Sequence, residues 1–232
     1  MTHARIPDLN GRYDLYGLIH KGLRKAQCEL LARLGSADFD DAAATAPLLA
    51  DLRTILMLGA SHLAHEDRYI HQPLEARVRA STDRLEHQHD DHRLAFAELE
   101  DMIRAIEEAP LDARASLGRR LYIAFTVFVG HDLEHMHEEE TVTAPQLWAN
   151  FTDAELQGIE MAIIGSLTPE KNLAFMRLMI PAMSRSERAA LLGGMKVSAP
   201  ADAFAAVIEF AARPHLSRED FCDLSSRLGL AA

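Results

Sequence analysis

Residues 62–73 read HLAHEDRYIHQP and residues 135–145 read HMHEEETVTAP. Each stretch opens on a histidine, places a glutamate four positions later (Glu66, Glu139) and ends on a proline (Pro73, Pro145). Each is also preceded by another histidine at nearly the same distance. His20 stands 42 residues before His62, and His92 stands 43 before His135. Scattered core histidines do not repeat in this way. Two copies of one His / His-x3-Glu hairpin supply four imidazoles and two carboxylates, the donor set that a buried pair of iron ions requires.

The spacing carries the chemistry. On a helix, positions i and i+4 lie over one patch of surface. His62 with Glu66, and His135 with Glu139, can therefore each reach a single point inside a helical bundle. A carboxylate can bridge two cations while imidazoles fill terminal positions, so the set suits a mixed nitrogen and oxygen di-iron centre. An unpaired glutamate facing an apolar core would lose its hydration at high cost, and a cation removes that cost. The plainer alternative is a buried His–Glu hydrogen bond in each hairpin, which would have to arise twice at identical spacing. No cysteine belongs to this donor set, which disfavours thiolate zinc and iron–sulfur clusters.

The surrounding sequence predicts helix throughout. Hydrophobic residues make up 48% of the 232 and aromatics only 6%, a composition that favours helix over strand. Apolar or histidine positions at 13, 16, 20, 23, 27, 30 and 34 mark one helix face, closed by Gly35. After a loop over 38–47, a second helix is expected from about 47 to 72, with Leu52, Ile55, Gly59, His62, Glu66 and Tyr69 inward and a break or kink at Pro73. The third carries Leu85, His89, His92, Phe96, Leu99, Ile103 and Ile106. The fourth carries Leu117, Leu121, Ala124, Phe128, His131, His135 and Glu139 and is expected to stop before Pro145. The fold class is therefore all-α, an antiparallel up-down-up-down four-helix bundle over residues 1–150.

Residues 151–232 read as a separate region of about five shorter helices. Thr152 with Glu155 and Ser184 with Glu187 form capping boxes, Thr168 precedes a proline at the first helical position, and Ser198 and Ser217 are expected caps. No metal-ligand set falls in this region. It could be an extra helical layer, an adaptor, or a surface for a protein partner or a homodimer.

Among the remaining histidines, His89 shares the third helix face and His131 the fourth, so both are candidate additional ligands. His65, His71, His87 and His137 fall off the α-helical stripes and read as solvated or supporting residues. Tyr13, Tyr16 and Tyr69 read as core. The net charge of −11 leaves no basic block for a nucleic-acid backbone. No run approaches a membrane span and no apolar leader is visible at the amino terminus, so the expected location is cytoplasmic. Cys28 and Cys222 are in no redox spacing.

The segments LIHKGLRKA, SHLAHEDRYIHQPLE, DDHRLAFAELE and LEHMHEEETVTAP resemble the four helix signatures of the hemerythrin family, in particular its bacterial histidine-histidine-glutamate cation-binding branch. The resemblance covers about residues 10–150. It implies two iron ions in a non-haem, carboxylate-bridged centre, with His20, His62, Glu66, His92, His135 and Glu139 as ligands. Zinc or manganese could occupy the same donors in isolated protein. The chain departs from the oxygen-carrying members, which place His-x3-His on helix three and His-x4-Asp on helix four. Here those positions hold His89-x2-His92 and His135-x3-Glu139. That pattern resembles members linked to sensing of iron, oxygen or nitric oxide and to iron-centre repair, so a diatomic ligand is the expected small partner.

In the tail, FTDAELQGIE and IPAMSRSERAALLGGM look like the helices that follow the hemerythrin domains of plant iron-sensing ubiquitin ligases, but no RING is present. A di-iron enzyme reducing nitric oxide or peroxide is the competing reading. A ferritin-like oxidase fits less well, since Glu86-x-x-His89 supplies its Glu-x-x-His on helix three, whereas on helix four the inward His135 stands three residues after an aspartate, Asp132. No His-Glu-x-x-His of a zinc protease occurs. A metal-free interaction protein is the remaining alternative.

Overall fold

The computed structural model of the chain describes residues 6–230. The first five residues of the stretch read for a leader lie outside it. Helices account for the architecture and no strand occurs among the described residues. Four long helices dominate: α1 (Gly17–Gly35), α2 (Ala42–His65), α4 (Asp83–Glu108) and α5 (Leu111–Glu138). Short helices α3 (Gln72–Arg77) and α6 (Ala144–Asn150) extend α2 and α5. The chain continues through α7 (Asp153–Ser166), α8 (Pro169–Met179), α9 (Arg185–Ser198), α10 (Ala201–Val207) and α11 (Arg218–Leu228).

Two compact units result. One comprises the described residues up to Tyr16 and Ala26–Glu160; the other comprises Gly17–Lys25 and the chain from Met161 onward. In the first unit, α4 and α5 pack along each other and α2 packs on α4. Leu52, Leu99, Ile103, Ile106, Leu121 and Phe125 are buried between them, each worth about 1.5–3 kcal/mol of transfer free energy. Gly118 is forced by this packing, because a Cβ there would stand 2.2 Å from the Phe39 ring. The second unit has its own core, including Met176, Ile180, Leu192, Val207, Ala211 and Leu224.

The prolines do not act as the sequence suggests. Pro73 and Pro145 neither end nor break their helices. Instead a π turn, Glu66–His71 before Pro73 and Glu139–Thr143 before Pro145, carries the helix through. The residue just ahead of each proline makes the wide bond: the Gln72 N–H donates to the Asp67 carbonyl and the Ala144 N–H to the Glu139 carbonyl. A third π turn, Ile208–Ala212, precedes Pro214 with the Arg213 N–H on the Ile208 carbonyl. A proline ring clashes with the carbonyl four residues back. An i→i+5 turn inserts one residue and widens the helix there. Each of the three π turns thus stands where a proline ring would otherwise meet the carbonyl one turn back.

Pro47 likewise lies inside α2, which begins at Ala42 because Asp41 accepts from the N–H groups of Ala43 and Ala44 at 3.0 Å. The carbonyl that Pro47 leaves unbonded belongs to Ala43, on the exposed first turn. The continuous helix Ala42–Arg77 is long and apolar enough, by length and composition alone, to cross a membrane. That corrects the expectation that no run approaches a span. Leu48, Leu49, Leu52, Ile55, Leu58 and Leu63 of this helix are buried in the unit's core, a role that needs the same composition.

In the tail the capping boxes form as expected at Thr152–Glu155 and Ser184–Glu187, and Thr168 and Ser217 cap α8 and α11. Ser198 does not cap α10. It ends α9, donating to the Gly194 carbonyl, and Pro200 takes the cap position.

Candidate metal centre

The π turns decide which side chains enter the interior. Up to Glu66 the α2 stripe runs as the α-helical period dictates, and His62 and Glu66 are buried. The extra residue then shifts the register by one. Tyr69 turns toward the edge, while Ile70 and His71 are buried in its place. His71, which α-helical counting sets off the stripe, is 2% exposed. On α5 the buried face runs through Leu121, Phe125, Phe128, Asp132, His135 and Glu139. His131, expected inward, is exposed, because the stripe steps from Phe128 to Asp132 rather than to its neighbour.

Glu66, His89, His135 and Glu139 converge, each with one donor atom within 4.8 Å of the others. Nε2 of His89 lies 3.1 Å from Nε2 of His135 and 3.6 Å from Oε2 of Glu66. Nε2 of His135 lies 3.4 Å from Oε2 of Glu139, and Nε2 of His62 lies 3.0 Å from Oε1 of Glu66. Two donors each about 2.1 Å from a common ion stand roughly 3.0–3.5 Å apart. The observed separations fall in or near that range, and all four residues of the group are buried. The donor set fits a bound cation.

The rings are held from outside. His89 Nδ1–H donates to Asp67 Oδ1 at 2.7 Å, and Arg93 pairs with the other oxygen of Asp67. His135 Nδ1–H donates to Gln88 Oε1 at 2.8 Å. Fixing Nδ1 as the donor leaves each Nε2 with its lone pair turned inward, the arrangement that supports metal-bound histidines elsewhere.

His92 sits beside this group. Its ring centroid is 5.0 Å from that of His135 and its Nε2 is 3.6 Å from Oδ1 of Asp132, whose Oδ2 accepts from Gln27 at 2.6 Å. His20 is fully buried on α1. His65 is half-buried, and His87 and His137 are exposed. Cys28 and Cys222 are exposed free thiols.

Electrostatics follow the geometry. Burial lowers His92 to about 4 and also lowers His135, so both stay neutral and can offer lone pairs. Burial would lower His71 too, but Asp67 and Glu139 outweigh it and raise His71 to about 9. A cation beside Glu139 would therefore have to displace the His71 proton before the ring could bind it. Burial, and then the negative field of Glu139 and Glu66, holds the proton on the Tyr16 hydroxyl. Asp67, despite partial burial, is held well below the ordinary carboxylate range by His71, His89 and Arg93.

Two openings reach residues beside the cluster, His92 in one and Asp67 in the other. A groove of about 600 Å³ between α4 and α5 is lined by His92, Leu99, Val127, Phe128 and His131, among others. A smaller one of about 240 Å³ is bounded by Asp67, His71, Gln72, Glu86, Asp90 and Arg93.

A buried His/Glu cluster inside a helical bundle, with ring nitrogens fixed from outside, defines a metal-binding four-helix protein. The hemerythrin HHE cation binding domain matches residues 13–147, and the chain belongs to that family. No curated protein and no solved structure matches it.

Sequence reasoning missed His71, Asp67, Gln88 and Asp132. The one hint for His71 was a proline two residues later, which warns that the α-helical count does not carry unchanged past Glu66.

Proposed function

We propose that the protein is a non-haem di-iron hemerythrin-like protein that binds or senses oxygen, nitric oxide or iron itself. The buried convergence of Glu66, His89, His135 and Glu139 in an HHE domain carries this reading. The proposed ligands are His20, His62, Glu66, His135 and Glu139, with α4 contributing His89, which faces the carboxylates, and His92, which completes the repeat. Bound iron would supply the redox-active centre and the open position for a diatomic molecule. The chain's own residues neutralise the cations with Glu66 and Glu139, fix the imidazoles through Asp67 and Gln88, and keep a protonated hydroxyl at Tyr16. A location in the cytoplasm and a partner or second copy bound through residues 151–232 belong to the same reading.

A di-iron enzyme that reduces nitric oxide or peroxide is the second reading. The groove at His92 favours it, since its mixed apolar and polar lining could admit a small substrate.

Anaerobic loading with ferrous iron, metal counting, and absorption spectra before and after air or nitric oxide test the proposal. Two irons per chain with a new near-ultraviolet band are expected. A protein that retains no iron would overturn it. Catalytic turnover, rather than stoichiometric binding, would move the assignment to the enzyme.

A further inference from the structure

The two halves of the repeat are not equivalent. Counting nine residues from the first histidine of each block leads from His62 to His71 and from His135 to Ala144. His71 is the last residue of the first π turn and Ala144 the first residue after the second, and both are buried. Only the first carries an imidazole. The site therefore has a nitrogen donor on one side that the internal repeat does not predict.

The surroundings of His71 are those of a donor and not of packing. Its Nε2 is 3.6 Å from Oε1 of Glu139 and its Nδ1 is 3.5 Å from Oδ1 of Asp67. Both distances are long for a direct hydrogen bond. The 3.6 Å from Glu139 is close to the spacing of two donors on one cation. The ring stacks on His89 with centroids 4.9 Å apart. Asp67, His71 and His89 also offer donor atoms within 4.8 Å of one another. Glu139 already belongs to the cluster with His89 and His135, and His71 Nε2 approaches that carboxylate from the α2 side.

We propose that His71 is an additional metal ligand, a third imidazole on the cation held by Glu139, His89 and His135, which makes the two metal positions chemically unequal. The inference rests on the metal-binding reading above. It assigns the π turn before Pro73 a consequence for the metal centre: without the inserted residue, Ile70 would take the place of His71.

The test is cobalt(II) titration of the full chain, wild type and His71→Ala, following visible absorption, bound metal, and the hyperfine-shifted exchangeable proton resonances of coordinated imidazoles. In the variant the second cobalt is expected to bind at least ~100-fold more weakly, beyond the usual loss for a supporting residue. One shifted imidazole resonance disappears, and added free imidazole restores the wild-type absorption. If His71→Ala does not fold, His71→Gln is read by the same resonance count, which the wild-type spectrum also reports by itself. Two cobalts bound with an unchanged spectrum and an unchanged resonance count would overturn this inference alone. Failure of the wild type to take up cobalt would overturn the metal reading and this inference with it.

Discussion

The Nε2 atoms of His89 and His135 face each other at 3.1 Å, with both rings anchored through Nδ1, on Asp67 and Gln88 respectively. Two neutral imidazoles cannot both present lone pairs across that gap without repulsion. A proton or a cation between them resolves the conflict, and the nearby Glu66 and Glu139 supply countercharge for the larger of the two. This pair, from helices α4 and α5, is the geometric centre of the candidate site.

From it follows a ranking of the two α4 histidines. His89 points into the carboxylates, whereas the nearest carboxylate pairing of His92 is with Asp132. His89→Ala is expected to weaken metal binding at least tenfold more than His92→Ala. Competition titration against a chromogenic chelator would measure the two side by side, and equal losses would contradict the ranking.

Asp67 touches His89 but lies outside the four-residue cluster. Its carboxylate fixes the ring tautomer, so Asp67→Asn should leave the metal count unchanged and lower affinity by about 10–100-fold. An affinity equal to wild type would mean that His89 needs no such support.

The bundle and its metal-binding character were legible because the repeat of His and His-x3-Glu survives in the primary sequence. The buried faces of α1 and α4 followed from spacing alone: Leu23, Leu30 and Leu34, and then Leu85, Leu99, Ile103 and Ile106, are all buried. Register was lost past Glu66, where the chain switches from α to π geometry and an α-helical count misplaces everything beyond it. His71 was missed for that reason and Tyr69 wrongly held inward. Asp67 and Gln88 were not legible, since their roles depend on which neighbouring helix they meet, a fact that only the packed structure supplies.

Acid should act on the second unit through Glu187. Its hydrogen bonds with Lys21 and Ser184 lower its pKa from 4.5 to about 2. A carboxylate with a depressed folded pKa stabilises the fold above its unfolded value and loses that contribution as pH falls through the folded one. Glu187→Gln should therefore lower Tm at pH 6, with the gap to wild type closing from about pH 4.5 down toward pH 2. The side chain is 34% exposed, so screening keeps the effect modest. A gap constant with pH would exclude the ionised carboxylate as its source.

Gly118→Ala probes the close approach of α5 to Phe39. The added methyl would overlap the ring at 2.2 Å, where the ring's own attachment carbon is among the atoms met. Overpacking of this kind costs roughly 1–3 kcal/mol, against a helix propensity that favours alanine by about 1 kcal/mol. A net loss is expected in chemical denaturation. A gain would mean that the 36–41 loop yields easily.

Metal should be a large part of the protein's stability. Glu66 and Glu139 are 1% and 0% exposed, and each offers an oxygen within 4.8 Å of the other's, so the cluster gathers like charge that a cation would offset. A ligand bound only by the folded state adds about 4 kcal/mol at a thousandfold excess over its Kd. Chelation is expected to lower Tm by several degrees or more, and readdition of iron to restore it. Glu139→Gln removes one of the two charges, so it should lose metal yet melt at or above the temperature of the chelated wild type. If Glu139→Gln melts well below the chelated protein, the carboxylate stabilises the bundle without any cation, and the charge argument for the site fails.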